Sequence, residues 1–245
     1  MNYIVFSKDE AFRDGAEKIK SEALLHNKTC ELIEIGDVAE NTLPQDIGSL
    51  VYFLTNNALV GEKVNFFKKR GVRVVNEKAL LGDVSKFFLQ DTLRENRIHV
   101  PKSILTSGDG ARPEELQYPM FIKSQYQAST VIKVENESEL EKHMKNINNT
   151  GTYYFEQAVT EENFLLQKYY YIHGTGLSID YKDAAPQWLC LILENMSRAL
   201  NLEVFSADIF INWATKDYYC IDINPASSFF MSDGARSEFI KSILV

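Results

Sequence analysis

The chain has 245 residues, 45% of them hydrophobic and 24% charged, enough to bury a core in one sizeable domain or in two or three small lobes. Its formal net charge of −8 argues against a general nucleic-acid binder, which carries a basic face. No apolar run approaches the ~20 residues that span a bilayer, and the start, MNYIVFSKDEAF, turns acidic too soon for a signal peptide; a cytoplasmic protein without a membrane partner is expected.

The first elements alternate. YIVF reads as a strand, DEAFRDGAEKIKSEALL as a helix with Phe12, Ala16, Ile19 and Ala23 on one stripe, and CELIEI as a second strand. SLVYFLT, a buried strand, is followed by the helix ALVGEKVNFFKKR and the strand VRVVN. Strands and helices alternating at these lengths predict a small parallel α/β lobe over residues 1–76. Neither GxGxxG nor GxxxxGK[ST] occurs in it, so a Rossmann or P-loop nucleotide site has no support.

A second lobe is predicted over 77–158. Asp83 or Ser85 caps a helix carrying Phe87, Phe88 and Leu93, and HVPKSILT then extends because Pro101 biases its predecessor away from helix. After a polar loop come two short β-rich runs, YPMFIKSQ and STVIKVEN, the helix SELEKHMKNIN with Ser138 as N-cap, and the strand TYYFEQAV. The third lobe, 159–245, opens with a hairpin around Gly174 and Gly176 and continues with the helix QWLCLILENMSRALN. Two strands, VFSADIFI and DYYCIDIN, and a short terminal helix complete it, so α/β is followed by two α+β lobes.

The chemistry concentrates in the last pair of strands. Asp222 and Asn224 are two apart and leave one face of a strand. A tight loop around Ala214 to Lys216 sets Asp208 opposite Asp222, with Asn224 on the diagonal. Opposed and diagonal side chains are roughly 5 and 7–8 Å apart at Cβ, so three oxygens converge if no bulge shifts the pairing. Two carboxylates and an amide suit Mg2+, which keeps waters and takes substrate phosphates as further ligands. From spacing alone the alternative is an exposed sheet face whose carboxylates are solvated or paired with lysine.

The order of parts resembles the ATP-grasp superfamily. Its marks are a small α/β lobe, a helix with Lys86, YPMFIKSQ with Lys123, short lid strands, the hinge strand YFEQAV, and then ADIFIN and DINP. The resemblance implies the three-lobed ATP-grasp architecture, with ATP and Mg2+ as cofactors and Asp208, Asp222 and Asn224 holding the metal. It implies that Lys86 and Lys123 reach the ATP phosphates, although each lysine alone reads as a surface charge. Glu156, Gln157, Ala158 and Val159 line the adenine, whose pocket has Ile122 and Phe210 as apolar walls. Glu161 or Glu162 takes the ribose, and Lys168 adds a cation on the next strand. Arg236 is the candidate acceptor- or phosphate-binding cation and the expected catalytic residue.

The activity implied is a ligase joining a carboxylate to an amine through an acyl phosphate, its partners being a small-molecule or peptide carboxylate and an amine acceptor. The D-x-N form of the metal strand also resembles inositol phosphate kinases of the superfamily, although few basic residues accompany it. A catalytically degenerate ATP binder is the third reading. It draws on a lid turn, SQYQASTVIKV, without glycine and a short segment from Gly174 to Asp208; NPASSFF in place of a Gly-containing loop is a further departure from the pattern. Cys30, Cys190 and Cys220 have no metal-ligand spacing and read as buried hydrophobes. The four histidines read as structural or surface residues.

Overall fold

A computed structural model describes residues 2–39, 50–55, 59–82, 85–105, 114–125, 131–147, 153–179, 184–226 and 229–244. Among them the chain forms twelve strands and seven helices, with three four-stranded sheets. By contacts it divides into two compact units. The first comprises Met1–Asp83, Gln167–Ala207 and Asn224–Val245, and the second comprises Val84–Leu166 and Asp208–Ile223.

In the first unit, β1 (Asn2–Phe6), β2 (Cys30–Glu34), β3 (Leu50–Leu54) and β4 (Arg73–Val74) form a sheet of order β2-β1-β3-β4, parallel throughout. This is the predicted α/β lobe. Both faces are covered, which is why β1 and β3 read as unbroken apolar runs. Ile4, Phe6, Tyr52 and Leu54 pack on Ala16, Ile19 and Ala23 of α1 (Glu10–Leu25) and on Phe239 and Ile240 of α7 (Asp233–Ser242). Val5, Val51 and Phe53 turn the other way, onto Val60, Val64 and Phe67 of α2 (Val60–Lys68). Asp9 caps α1 by accepting from the Ala11 amide at 2.9 Å, and Ser232 caps α7. Asn76 precedes α3 (Glu77–Leu81) in the left-handed region. Its Nδ2 donates to the Val204 and Pro225 carbonyls at 2.7 and 3.2 Å, and its Oδ1 accepts from the Glu203 and Val204 amides. One buried asparagine thus ties the end of the α/β lobe to the C-terminal part of the same unit.

The second unit is built on an antiparallel sheet of order β5-β8-β6-β7, from β5 (Ser103–Leu105), β6 (Met120–Ser124), β7 (Val131–Val134) and β8 (Tyr153–Gln157). One face is apolar: Met120, Ile122, Val134 and Phe155 pack with Leu140 and Met144 of α5 (Glu137–Ile147). The cap of α5 is Asn136, whose Oδ1 accepts from the Glu139 amide at 3.1 Å, two residues before the predicted Ser138. The helix α4 (Lys86–Glu95) is capped by Ser85 as expected. Its buried stripe is Leu89, Gln90 and Leu93, and Phe88 is exposed.

The third sheet has the order β10-β9-β11-β12, from β9 (Leu165–Ile172), β10 (Thr175–Ser178), β11 (Val204–Ile211) and β12 (Tyr218–Asn224). The β9–β10 hairpin turns through His173 and Gly174, both at positive φ, and Gly174 meets that demand without strain. The amphipathic α6 (Gln187–Leu200) follows, ending at left-handed Asn201. The boundary between the units falls within β11, after Ala207, and again at the end of β12, after Ile223.

Candidate functional site

The face of the second unit's sheet opposite α5 carries the polar side chains. Lys123 on β6 stands opposite Tyr154 on β8, with Glu156 on the diagonal. Diagonal neighbours are within reach of a long side chain, and the Lys123 ammonium lies 2.6 Å from Glu156 Oε1, the two side chains being 9% and 2% exposed. Gln90 of α4 donates through one Nε2 to Glu156 Oε2 at 2.6 Å and to the Ile221 carbonyl at 3.0 Å. The same carbonyl accepts from Lys123 at 3.1 Å. One carboxylate and one carbonyl are therefore each held by Lys123 and Gln90 together, which pins β12 beside α4, β6 and β8. Burial pushes the Glu156 carboxyl above the ordinary carboxylate range. Lys123 and Gln90 pull it down, and the nearby charge of Asp222 raises it again.

Lys86, the first residue of α4, makes the second ion pair, its ammonium 2.7 Å from Asp222 Oδ1 with both side chains mostly buried. Its own amide donates to the Gln125 carbonyl at 2.8 Å, so the lysine stem starts from a fixed point. Cys220 is buried between these groups. Burial, then the charges of Asp222 and Asp208, and more weakly that of Glu156, drive its thiol far above the usual range. Three carboxylates thus act on one buried thiol.

The hairpin that carries Asp208 and Asp222 closes differently from the expected register. Asn212 N–H donates to the Asp217 carbonyl at 2.9 Å, and Lys216, left-handed at φ 65°, donates to the Asn212 carbonyl at 2.8 Å. This leaves a four-residue loop, 213–216, one residue out of the pairing that sets Asp208 opposite Asp222. A regular ladder from that closure would face Asp208 with Ile221. Alternation in β12 also breaks, since Cys220 and Ile223 are buried while both Ile221 and Asp222 are half-buried. An extra residue in a strand has this effect, the possibility on which the sequence geometry was conditioned.

The remaining predicted residues divide by unit. In the second unit the hinge groups serve the fold. Gln157 accepts from the Gln117 amide at 2.8 Å and donates to the Gln117 and Pro119 carbonyls, its own amide goes to the Lys102 carbonyl, and the Ala158 amide goes to Pro119 at 3.2 Å. Val159 is half-buried and Glu162 exposed, while Glu161 accepts from the Tyr219 hydroxyl at 3.5 Å. Ile122, expected as a pocket wall, faces α5 instead. In the first unit Lys168 lies half-buried on β9, and Asn224 ends β12. Arg236 is committed within the first unit: its guanidinium contacts Glu22, donates to the Phe230 carbonyl at 2.7 Å and pairs with Asp233 at 2.7 Å. Two carboxylates neutralise it, which fits a fastener between α1 and α7 better than an acceptor-binding cation. The lid turn at 126–130, Asp83, Lys182 with its flanking aspartates, and Ser227–Ser228 lie outside the described residues.

Sequence reasoning missed Gln90 and the Ile221 carbonyl. The signal for Gln90 was present, a lone amide on the same helical stripe as Lys86, Leu89 and Leu93. His99 stacks on Tyr218 at 5.1 Å, a packing role, and Tyr169–Tyr171 are buried in β9. Among the described residues no group of three or more His, Cys, Asp or Glu side chains is gathered to hold a metal. Mg2+ does not require one, since one or two carboxylates with waters and phosphates suffice. An all-oxygen pair on neighbouring strands, with carboxylates in excess of lysines, fits that ion.

A parallel α/β lobe, an antiparallel lid sheet with its strand lysine, and a carboxylate-bearing hairpin define the ATP-grasp fold, and the chain has it. A RimK-domain ATP-grasp protein from Sphaerobacter thermophilus superposes with a TM-score of 0.75 at 13% identity, over 99% of both chains. D-alanine–D-alanine ligase from Bacillus anthracis, complexed with ATP, gives 0.70 at 13%, over 99% of this chain and 96% of that one. The ATP-grasp ligase PsnB, complexed with a minimal precursor, Mg and ADP, gives 0.69 at 14%, over 98% and 95%. No protein-family model matches the sequence, and no curated protein matches it.

Proposed function

We propose that the chain is an ATP- and Mg2+-dependent ligase that joins a carboxylate to an amine through an acyl phosphate. The observation that carries this reading is the Lys86–Asp222 pair beside Lys123 and Glu156 in the second unit. It puts a phosphate-seeking cation and a metal-seeking carboxylate in one place. Solved structures of similar fold include ligases holding ATP, or Mg and ADP with a peptide precursor, which supports the same assignment.

Asp208 and Asp222, both in the second unit, would hold the metal, which when bound supplies positive charge to the phosphates. Lys86 and Lys123 neutralise the further charge of a nucleotide carrying about four negative charges and offset charge developing on the transferred phosphoryl group. Lys123 retains one N–H beyond those given to Glu156 and Ile221, and Gln90 keeps its ammonium oriented. Val159 and Glu162 stand at the adenine and ribose end in this reading. No general base is required, because positioning and charge govern the step.

The test is acceptor-dependent turnover. The protein with Mg-ATP and pooled carboxylates and amines should release inorganic phosphate and form an amide. ADP formation without free phosphate would indicate the kinase reading. Tight Mg-ATP binding with no turnover would indicate a degenerate binder, a reading favoured by the commitment of Arg236 to Glu22 and Asp233. Failure to bind Mg-ATP would refute all three.

A further inference from the structure

The phosphate end and the metal end of the proposed site are bound to each other. Lys86 Nζ stands 2.7 Å from Asp222 Oδ1, the side chains being 16% and 20% exposed. Both residues belong to the second unit, and both are held from their backbones: Lys86 by the Gln125 carbonyl and the Ser85 cap, Asp222 by the neighbouring Ile221 carbonyl that Gln90 and Lys123 grip. We propose that Lys86 is the resident counter-ion of the metal site, so that Mg2+ and ATP can bind well only together. The metal takes Asp222 as the phosphates take Lys86. This rests on the ATP and Mg2+ reading above.

Without ligands the pair is neutral and mostly out of water. Mg2+ alone on Asp222 would face the Lys86 ammonium at close range with no anion to receive it. ATP alone, drawing Lys86 away, would part Asp222 from its ammonium beside about four negative charges. Lys123 cannot substitute, because its ammonium is already shared between Glu156 at 2.6 Å and the Ile221 carbonyl at 3.1 Å. Exchange of both partners replaces one ion pair by two. The coupling is reciprocal: whatever factor Mg2+ adds to ATP affinity, ATP adds to Mg2+ affinity.

Calorimetric titration of the full chain tests this with three probes: MgCl2 alone, ATP in EDTA, and ATP with excess MgCl2. The parent should bind ATP at least about fivefold more tightly with Mg2+ than without, the lower end of typical coupling factors. Asp222→Asn frees Lys86, so the variant should bind metal-free ATP at least about fivefold more tightly than the parent and gain nothing from Mg2+. Lys86→Met removes the ammonium from Asp222, so it should bind Mg2+ alone more tightly and ATP more weakly. Thermal unfolding without ligand establishes that each variant is folded, and if Asp222→Asn is not, Lys86→Met decides. A folded Asp222→Asn with no gain for metal-free ATP overturns the proposal, as does a Lys86→Met with no gain for Mg2+. A parent that binds Mg-ATP with independent affinities for metal and nucleotide overturns the coupling alone. A parent that binds no Mg-ATP sinks the ATP reading itself.

Discussion

Replacing Lys123 by Met removes the cation from a carboxylate that has almost no access to water. Glu156 is 2% exposed and, with Lys123 gone, keeps the hydrogen bond from Gln90. Removing one partner of a buried ion pair costs about 3–5 kcal/mol, because the other charge is left in a medium that solvates it poorly. For a chain of this length about 2–4 °C of melting temperature accompanies each kcal/mol, so a fall of roughly 6–20 °C is expected. The loss should depend on pH in a definite direction. Burial already holds the folded Glu156 pKa above its unfolded value, and taking away Lys123, the largest interaction lowering it, raises it further. A folded pKa above the unfolded one makes the folded state the stronger proton binder. Stability is then fullest below the unfolded value of about 4.3 and is lost as pH rises through the folded value. Urea unfolding followed by circular dichroism should therefore show a smaller deficit at pH 5 than at pH 8. The double variant Lys123→Met/Glu156→Gln should recover most of the loss at pH 8, since it leaves no buried charge. An equal deficit at both pH values, or a double variant no more stable than the single one, would show that the pair is not the buried ion pair described.

Three further outcomes follow from the packing. Asn76→Ala deprives the Glu203 and Val204 amides of an acceptor and puts alanine at φ 61°. It should cost about 3 kcal/mol or more in denaturant unfolding, and a loss below about 1 would contradict the assigned bonds. Gly15→Ala would ordinarily favour a helix by up to about 1 kcal/mol, but here its Cβ would lie 2.7 Å from the Phe230 ring. The melting temperature should fall, by an amount equivalent to about 1–3 kcal/mol, rather than rise. Under native conditions at neutral pH, maleimide should label half-buried Cys190 before Cys30 or Cys220. Burial pushes the Cys30 thiol up to about 11 and Cys220 higher still, and both are out of solvent. Native labelling of Cys220 at the rate of Cys190 would contradict its placement.

Much of the site was legible where local pattern and chemistry coincide. The parallel lobe could be read from β1 and β3 because strands buried on both faces must be apolar throughout. Lys86 and Lys123 were singled out by family order, and both occupy mostly buried positions bonded to acids. The partner of each was not legible. Glu156 was read as a hinge residue near adenine, and its pairing with Lys123 follows only from the β6–β8 register. Arg236 was read as a free cation because nothing in a local window shows that Glu22, more than two hundred residues earlier, lies against it. The hairpin closes one residue away from the expected loop, with Lys216 in a left-handed turn. Lysine is not a residue from which such a turn is read.

What the sequence determined by itself is the sequence of elements and the kinds of chemistry they carry. Periodicity of apolar residues reports which face of a helix or strand is buried, and an unbroken run reports burial on both. Asp208, Asp222 and Asn224 stood out because carboxylates and amides at strand positions have no reason to be there for packing alone. Only the tertiary structure decided where each charge is spent. Lys86 is spent on Asp222, Lys123 on Glu156, and Arg236 on Glu22 and Asp233. The reason is physical: burial is a local property that composition encodes, whereas an ion pair requires two chain segments to meet. Their meeting is settled by the register of strands and the docking of helices, to which a sequence window is blind.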